Sequence, residues 1–215
     1  MELPFNKILQ KVNKINVYGY TSGELIQLLK LTHQRTCRFL DKIIDETYTG
    51  YEKNTFGLIE LNPLIWELGH VAFFYEYHVL RHLFKYKCNL LQKFPLLLEY
   101  EEMKNIFDSF YITKADRFND KTFKLNDIIV YYNKTIQLCF NWLGKNKNDK
   151  ISTYFILLGI MHNEMHNESF LFTRQLLNMS PPNKMVYKPY KSDFNNQLEF
   201  VKIPSGSFIQ GSIGN

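Results

Sequence analysis

Apolar residues recur along this chain at helical spacing in four segments, each opened or closed by a recognisable breaker. The first covers residues 21–44. Thr21 and Glu24 form a Ser/Thr-x-x-Glu capping box that satisfies orphan amide donors, and Leu25, Leu28, Leu29, Thr32, Thr36, Phe39 and Ile43 make its apolar stripe. The second runs over 62–84, with Asn62 as cap, Pro63 at the first helical position, and a stripe of Trp66, His70, Phe73, Phe74, Tyr77 and Phe84. The third covers 126–143, with Ile128, Tyr132, Ile136, Cys139 and Trp142 on one face and Gly144 as the stop. The fourth covers 149–179, with Phe155, Leu158, His162, Met165, Phe172 and Leu176 on one face, and ends before Ser180, Pro181 and Pro182.

Between the second and third helices lies a longer connection that carries a short helix around 97–110. Four amphipathic helices joined by two shorter connections and one long one predict an all-α four-helix bundle over residues 1–180, whose core can take ligands from facing helices. Residues 181–197 read as a Pro-, Lys- and Asn-rich linker. Residues 198–204 then alternate as a β-strand does, followed by the turn-rich Ser205, Gly206 and Ser207 and the apolar pair Phe208 and Ile209. A strand and turn with nothing to pair against do not make a stable element, so 198–215 is expected to be the stub of a truncated second domain. The length of 215 residues, at a typical ~150 per domain, agrees with about one and a half domains.

Composition narrows the class. With 45% hydrophobic and 22% charged residues, the chain has ample material for a core. The net charge is +5, but the 26 basic and 21 acidic residues are interleaved and never form a basic run, so a nucleic-acid partner is not expected. Cys37, Cys88 and Cys139 are far apart and odd in number, which points away from a disulfide framework or a thiolate zinc site and toward a reducing, cytoplasmic setting. The first residues lack a signal-peptide pattern, and no apolar stretch approaches the ~20 residues of a membrane span.

The chemistry concentrates in histidine. His162 and His166, four residues apart, lie on one helix face within the apolar stripe and are close enough to share one metal ion. Burying two imidazoles is costly unless each nitrogen finds a partner, and a metal on one nitrogen with an acceptor on the other is a complete solution. His70, in phase with Trp66, Phe73 and Tyr77, is the third candidate ligand. In a regular helix His78 lies about 80° and His82 about 120° from His70, pointing progressively outward. His33 sits at the edge of its stripe as a weaker candidate. Glu168 is turned about 160° from His166 and is expected to act, if at all, from outside the ligand set. Three neutral imidazoles leave zinc one open position and octahedral iron(II) three, and spacing does not choose between them. A metal-free bundle with core histidines is the bland alternative.

The residues from Asn62 to His70, followed by Phe73, Phe74 and Glu76, together with His162, His166 and Glu168, resemble the N-terminal DinB-like bundle of the ergothioneine-type sulfoxide synthases, the group of the ergothioneine, ovothiol and selenoneine synthases. Phe107, Asp108, Ser109 and Arg117 resemble it too, and the Trp66-Glu67-Leu68-Gly69-His70 wording is nearest the selenoneine-type branch. Residues 200–212 are similar to the opening strand of the formylglycine-generating-enzyme-like domain that follows the bundle in that family. The resemblance implies that His70, His162 and His166 hold a non-haem iron(II), with Trp66 beside them. It implies an oxidoreductase of ergothioneine biosynthesis type that uses dioxygen to join a thiol or selenol to the imidazole of a histidine betaine. The family's catalytic tyrosine belongs to the C-terminal domain and maps onto nothing in this chain, so the expectation is a truncated or split form, completed by a separately encoded C-terminal domain. A bundle-only relative using zinc or nickel for thiol transfer is the alternative within the same resemblance.

Overall fold

A computed structural model describes residues 19–41, 61–88, 100–118, 123–182 and 201–208. These are mostly helical and include no strand. The first helix, α1 (Ser22–Leu40), begins on the anticipated capping box: Thr21 Oγ1 accepts from the Glu24 amide at 3.3 Å, and Glu24 Oε2 accepts from the Thr21 amide at 2.7 Å. Leu25, Leu29, Thr32 and Thr36 are fully buried along it. The helix ends at Leu40 with Asp41 as its cap, short of the expected 44, and 42–44 lie outside the described residues.

The second helical stretch differs from a single regular helix. It starts one residue later than Asn62 and Pro63 suggest, with Pro63 itself at the cap, because Asn62 Oδ1 is engaged elsewhere, accepting from Arg117 Nη1 at 2.9 Å. It then runs as α2 (Leu64–Phe74), a π-helical turn (Tyr75–Leu80) and α3 (Arg81–Cys88). The turn buries Glu76, which is satisfied by Tyr131 Oη at 2.6 Å and Arg81 Nη2 at 3.0 Å.

A short helix, α4 (Tyr100–Phe107), lies within the anticipated 97–110 stretch. Then come α5 (Leu125–Lys145) and α6 (Lys150–Leu176), the latter capped by Asp149, whose side chain accepts from the Ser152 amide at 3.0 Å. Gly144 does not stop α5, which continues through Lys145 to a cap at Asn146. The end of α6 is a Schellman arrangement: Asn178 takes φ 53°, its amide donates to Gln175, and the Met179 amide reaches back to Arg174 at 2.9 Å.

The helices share one apolar core that includes Leu25, Leu68, Val71, Ile128, Ile156 and Phe170. Helix α1 packs on α6 and α5, α2 on α5 and α4, and the π turn on α6 and α5. The buried face of α6 is rotated from the expected stripe. Met165 and Phe172 are exposed, while Ser152, Ile156, Gly159, Asn163, Asn167, Phe170 and Arg174 face inward. Polar side chains occupy that inner face because α1 and α5 supply their partners. Tyr132 Oη donates to Asn163 Oδ1 at 2.8 Å, Asn163 Nδ2 donates to Thr36 Oγ1 at 3.1 Å, and Thr36 Oγ1 lies 2.8 Å from Asn167 Oδ1. A Cβ on Gly159 would stand 2.5 Å from the Tyr75 ring, so only glycine admits the π turn this close to α6.

The strand expected at 198–204 is not present in its described part. Residues 201–208 have no regular structure and are exposed, and 198–200 and 209–215 lie outside the described residues, as does the linker over 183–197. No helix among the described residues is long and apolar enough to cross a membrane.

Candidate metal centre

His70 on α2 and His162 and His166 on α6 meet in one cluster, one candidate ligand atom from each lying within 4.8 Å of the others. The ring centroids are 5.1 Å apart for His70 with either partner and 4.7 Å apart for His162 and His166. Spacing of i, i+4 sets the second pair on one face of α6. About 100° around the helix from that face, Asn163 and Asn167 are locked into the Thr36 and Tyr132 network, which fixes how α6 is turned.

Each anchor leaves a nitrogen facing the cluster. His70 Nδ1 donates to the Phe107 carbonyl at 2.7 Å, and Trp66 Nε1 donates to the neighbouring Ile106 carbonyl, also at 2.7 Å. These are end carbonyls of α4, groups that a helix leaves without internal partners. Gly69 makes the approach possible: a Cβ there would stand 2.1 Å from the Phe107 ring. His166 Nδ1 donates to Glu67 Oε1 at 2.8 Å, and both residues are buried. Carbonyl and carboxylate oxygens only accept, so Nδ1 is the donor in both rings and Nε2 is the nitrogen left to meet a cation. Among the described residues, His166 Nε2 and His162 Nδ1 are buried with no hydrogen-bond partner. A cation shared by the three rings would satisfy such orphaned nitrogens, so the donor set fits a divalent metal.

Electrostatics favours the ligating form. Burial first, then the nearby His166, hold His70 down to about 4, against the opposing pull of its bond to the Phe107 carbonyl. Burial, followed by His166, His70 and His78, pushes His162 down to about 2. Both rings are therefore neutral near pH 7, the state in which imidazole binds metal.

Aromatic rings stack on two of the three histidines. Trp66 stacks on His70 at 5.0 Å and 8°, and Phe74 stacks on His162 at 3.7 Å and 8°. The Arg117 guanidinium lies 3.9 Å over Trp66. Trp66 is thus beside the cluster as anticipated, but Glu168 is exposed and His33 is elsewhere, with Nε2 2.8 Å from Asn133 Oδ1 and its ring against Tyr132. His82 stacks on Phe155. His78 departs from the outward direction that a regular helix assigns it. Residues of a π turn advance less around the axis than in an α-helix, and His78 comes to lie 4.6 Å from the Phe74 ring, near enough for its charge to depress both His70 and His162.

The residue that sequence reasoning missed is Glu67. It stands three positions before His70, hence on the same side of α2, and only the packing of α2 against α6 reveals that its partner is His166. No protein-family model matches this chain, and no curated protein matches it.

Proposed function

We propose that this chain is an iron(II)- and dioxygen-dependent oxidoreductase of the sulfoxide-synthase type, built on a DinB-like four-helix bundle formed by α1, α2 with α3, α5 and α6. The observation that carries the reading is the cluster itself: three histidine nitrogens within 4.8 Å, two rings pinned through Nδ1 by Phe107 and Glu67, and buried ring nitrogens without partners. His70, His162 and His166 would hold the metal, which when bound supplies the activation of dioxygen for joining a thiol or selenol to the imidazole of a histidine betaine. The chain's own contribution is orientation and exclusion of water. Trp66 and Phe74 cover the rings of His70 and His162, and neutral imidazoles leave the cation's charge available to its other ligands. Val201, Ile203 and Phe208 expose their apolar side chains, as the opening strand of a formylglycine-generating-enzyme-like domain would before pairing.

Metal content measured after anaerobic purification with iron(II) tests the reading, followed by oxygen uptake with a thiol and a histidine betaine in the presence of the C-terminal domain. Stoichiometric iron that is lost in His162→Ala is expected. A protein indifferent to iron in both forms refutes it. One observation favours a second reading, a zinc or nickel protein of thiol-transfer type: the described helices share one apolar core among themselves. Retention of zinc over iron, with thiol transfer independent of oxygen, selects that reading.

A further inference from the structure

Glu67 is 1% exposed and bonded to an imidazole that is itself only 7% exposed. A carboxylate removed from water costs several kcal/mol unless a cation or several donors compensate it. The Nδ1–H of His166 is one donor. The guanidinium of Arg117, which lies over the Trp66 ring, adds a favourable charge, but it is itself only half-buried. The compensation becomes complete when a divalent cation sits on His166 Nε2, since the ring then carries positive charge toward Glu67. Glu67 and His70 share one face of α2, so a single turn of helix supplies one ligand directly and fixes a second across the interface with α6.

We propose that Glu67 is a positioning residue that sets both the orientation and the donor strength of His166, and that its charge biases the cluster toward dipositive cations. This rests on the metal reading above. It assigns the carboxylate bonded to His166 a role that neither the motif spacing nor the exposed Glu168 supplies.

The test is anaerobic cobalt(II) titration of the full chain, with affinity from chelator competition and the visible absorption spectrum as a second readout. Glu67→Gln keeps an oxygen that accepts from His166 Nδ1 but removes the charge, and is expected to bind about 10-fold more weakly with an unchanged spectrum. Glu67→Ala removes both and is expected to bind about 100-fold more weakly with an altered spectrum. Glu67→Asp keeps the charge on a shorter arm and is expected to retain more affinity than Glu67→Gln. Loss of binding in His162→Ala with wild-type affinity in Glu67→Gln overturns this inference and leaves the metal reading standing. Absence of cobalt binding by the wild type overturns both. Should Glu67→Gln fail to fold, Glu67→Asp decides alone: affinity as weak as expected for Glu67→Ala overturns the inference.

Discussion

Gly69→Ala tests the link between helix packing and the histidine cluster. The added methyl would stand 2.1 Å from Phe107 Cε1, 2.6 Å from Cζ and 2.7 Å from Cδ1, where carbon atoms normally rest about 3.5 Å apart or more. The ring must therefore retreat by roughly 1.4 Å. Phe107 is only 1% exposed and lies against Phe123, so the ring has no open space to enter and α4 must shift with it. Overpacking of this kind costs about 1–3 kcal/mol. The better helix propensity of alanine returns about 1 kcal/mol. The shift also pulls the Phe107 carbonyl from His70 Nδ1, a loss of about 1 kcal/mol. The net expectation is a protein about 2 kcal/mol less stable, with metal affinity about 10-fold lower because His70 is no longer oriented. Urea unfolding and cobalt(II) titration measure the two effects. Gly144→Ala is the control: nothing lies within 4 Å of its Cβ, so it should gain up to about 1 kcal/mol from propensity alone. If Gly69→Ala behaves like Gly144→Ala in both assays, the proposed coupling between α4 and the cluster is wrong.

Chelator-stripped protein should lose stability as pH falls below about 6.5. The unfolded chain then takes up protons at His70 and His162 that the folded chain refuses until pH about 4 and about 2, so the contribution is whole above 6.5 and shrinks on acidification. Two such groups give about 2.4 kcal/mol between pH 6 and 5 in urea unfolding, and a flat profile there contradicts the burial argument. Asn163→Ala removes the closer acceptor of the Tyr132 hydroxyl, leaving it only its 3.2 Å bond to Thr36 Oγ1, and removes one donor to Thr36, at an expected cost of about 1–2 kcal/mol in the same assay. An unchanged midpoint would mean the network does not fix α6. Arg174→Met removes donors to the carbonyls of Phe39, Asp41 and Ser180 and should cost about 3 kcal/mol, seen as a lowered melting temperature, because a buried guanidinium joins the ends of α1 and α6. A melting temperature like that of the wild type would show those bonds to be dispensable.

Local chemistry made much of the fold legible. The Thr21 and Glu24 box, Asp149 and the proline pair after Ser180 act within a turn or two of chain, and the helices start or end close to them. Gly144 reads as a stop, yet a glycine stays helical when nothing crowds it and the following residue continues the ladder. Elsewhere distant partners decide. The stripe on α6 was drawn through Met165 and Phe172 because they are apolar, whereas its inner face carries Asn163, Asn167 and Arg174, acceptable only because α1 and α5 bring hydrogen-bond partners. The π turn at Tyr75–Leu80 has no evident signal in the residues, and it is what brings His78 toward the cluster.

By itself, the sequence determined which residues can ligate and which helices carry them. Periodicity of 3.6 places His162 with His166, and His70 on an apolar stripe, without any knowledge of neighbours. Only the tertiary structure decided that these rings meet, which nitrogen His70 and His166 present, and that Glu67 rather than Glu168 stands behind His166. The physical reason is that proton position on an imidazole is set by whatever accepts from its other nitrogen. Here those acceptors, the Phe107 carbonyl and the Glu67 carboxylate, lie 37 and 99 residues away along the chain, within reach only after α2 has packed against α4 and α6.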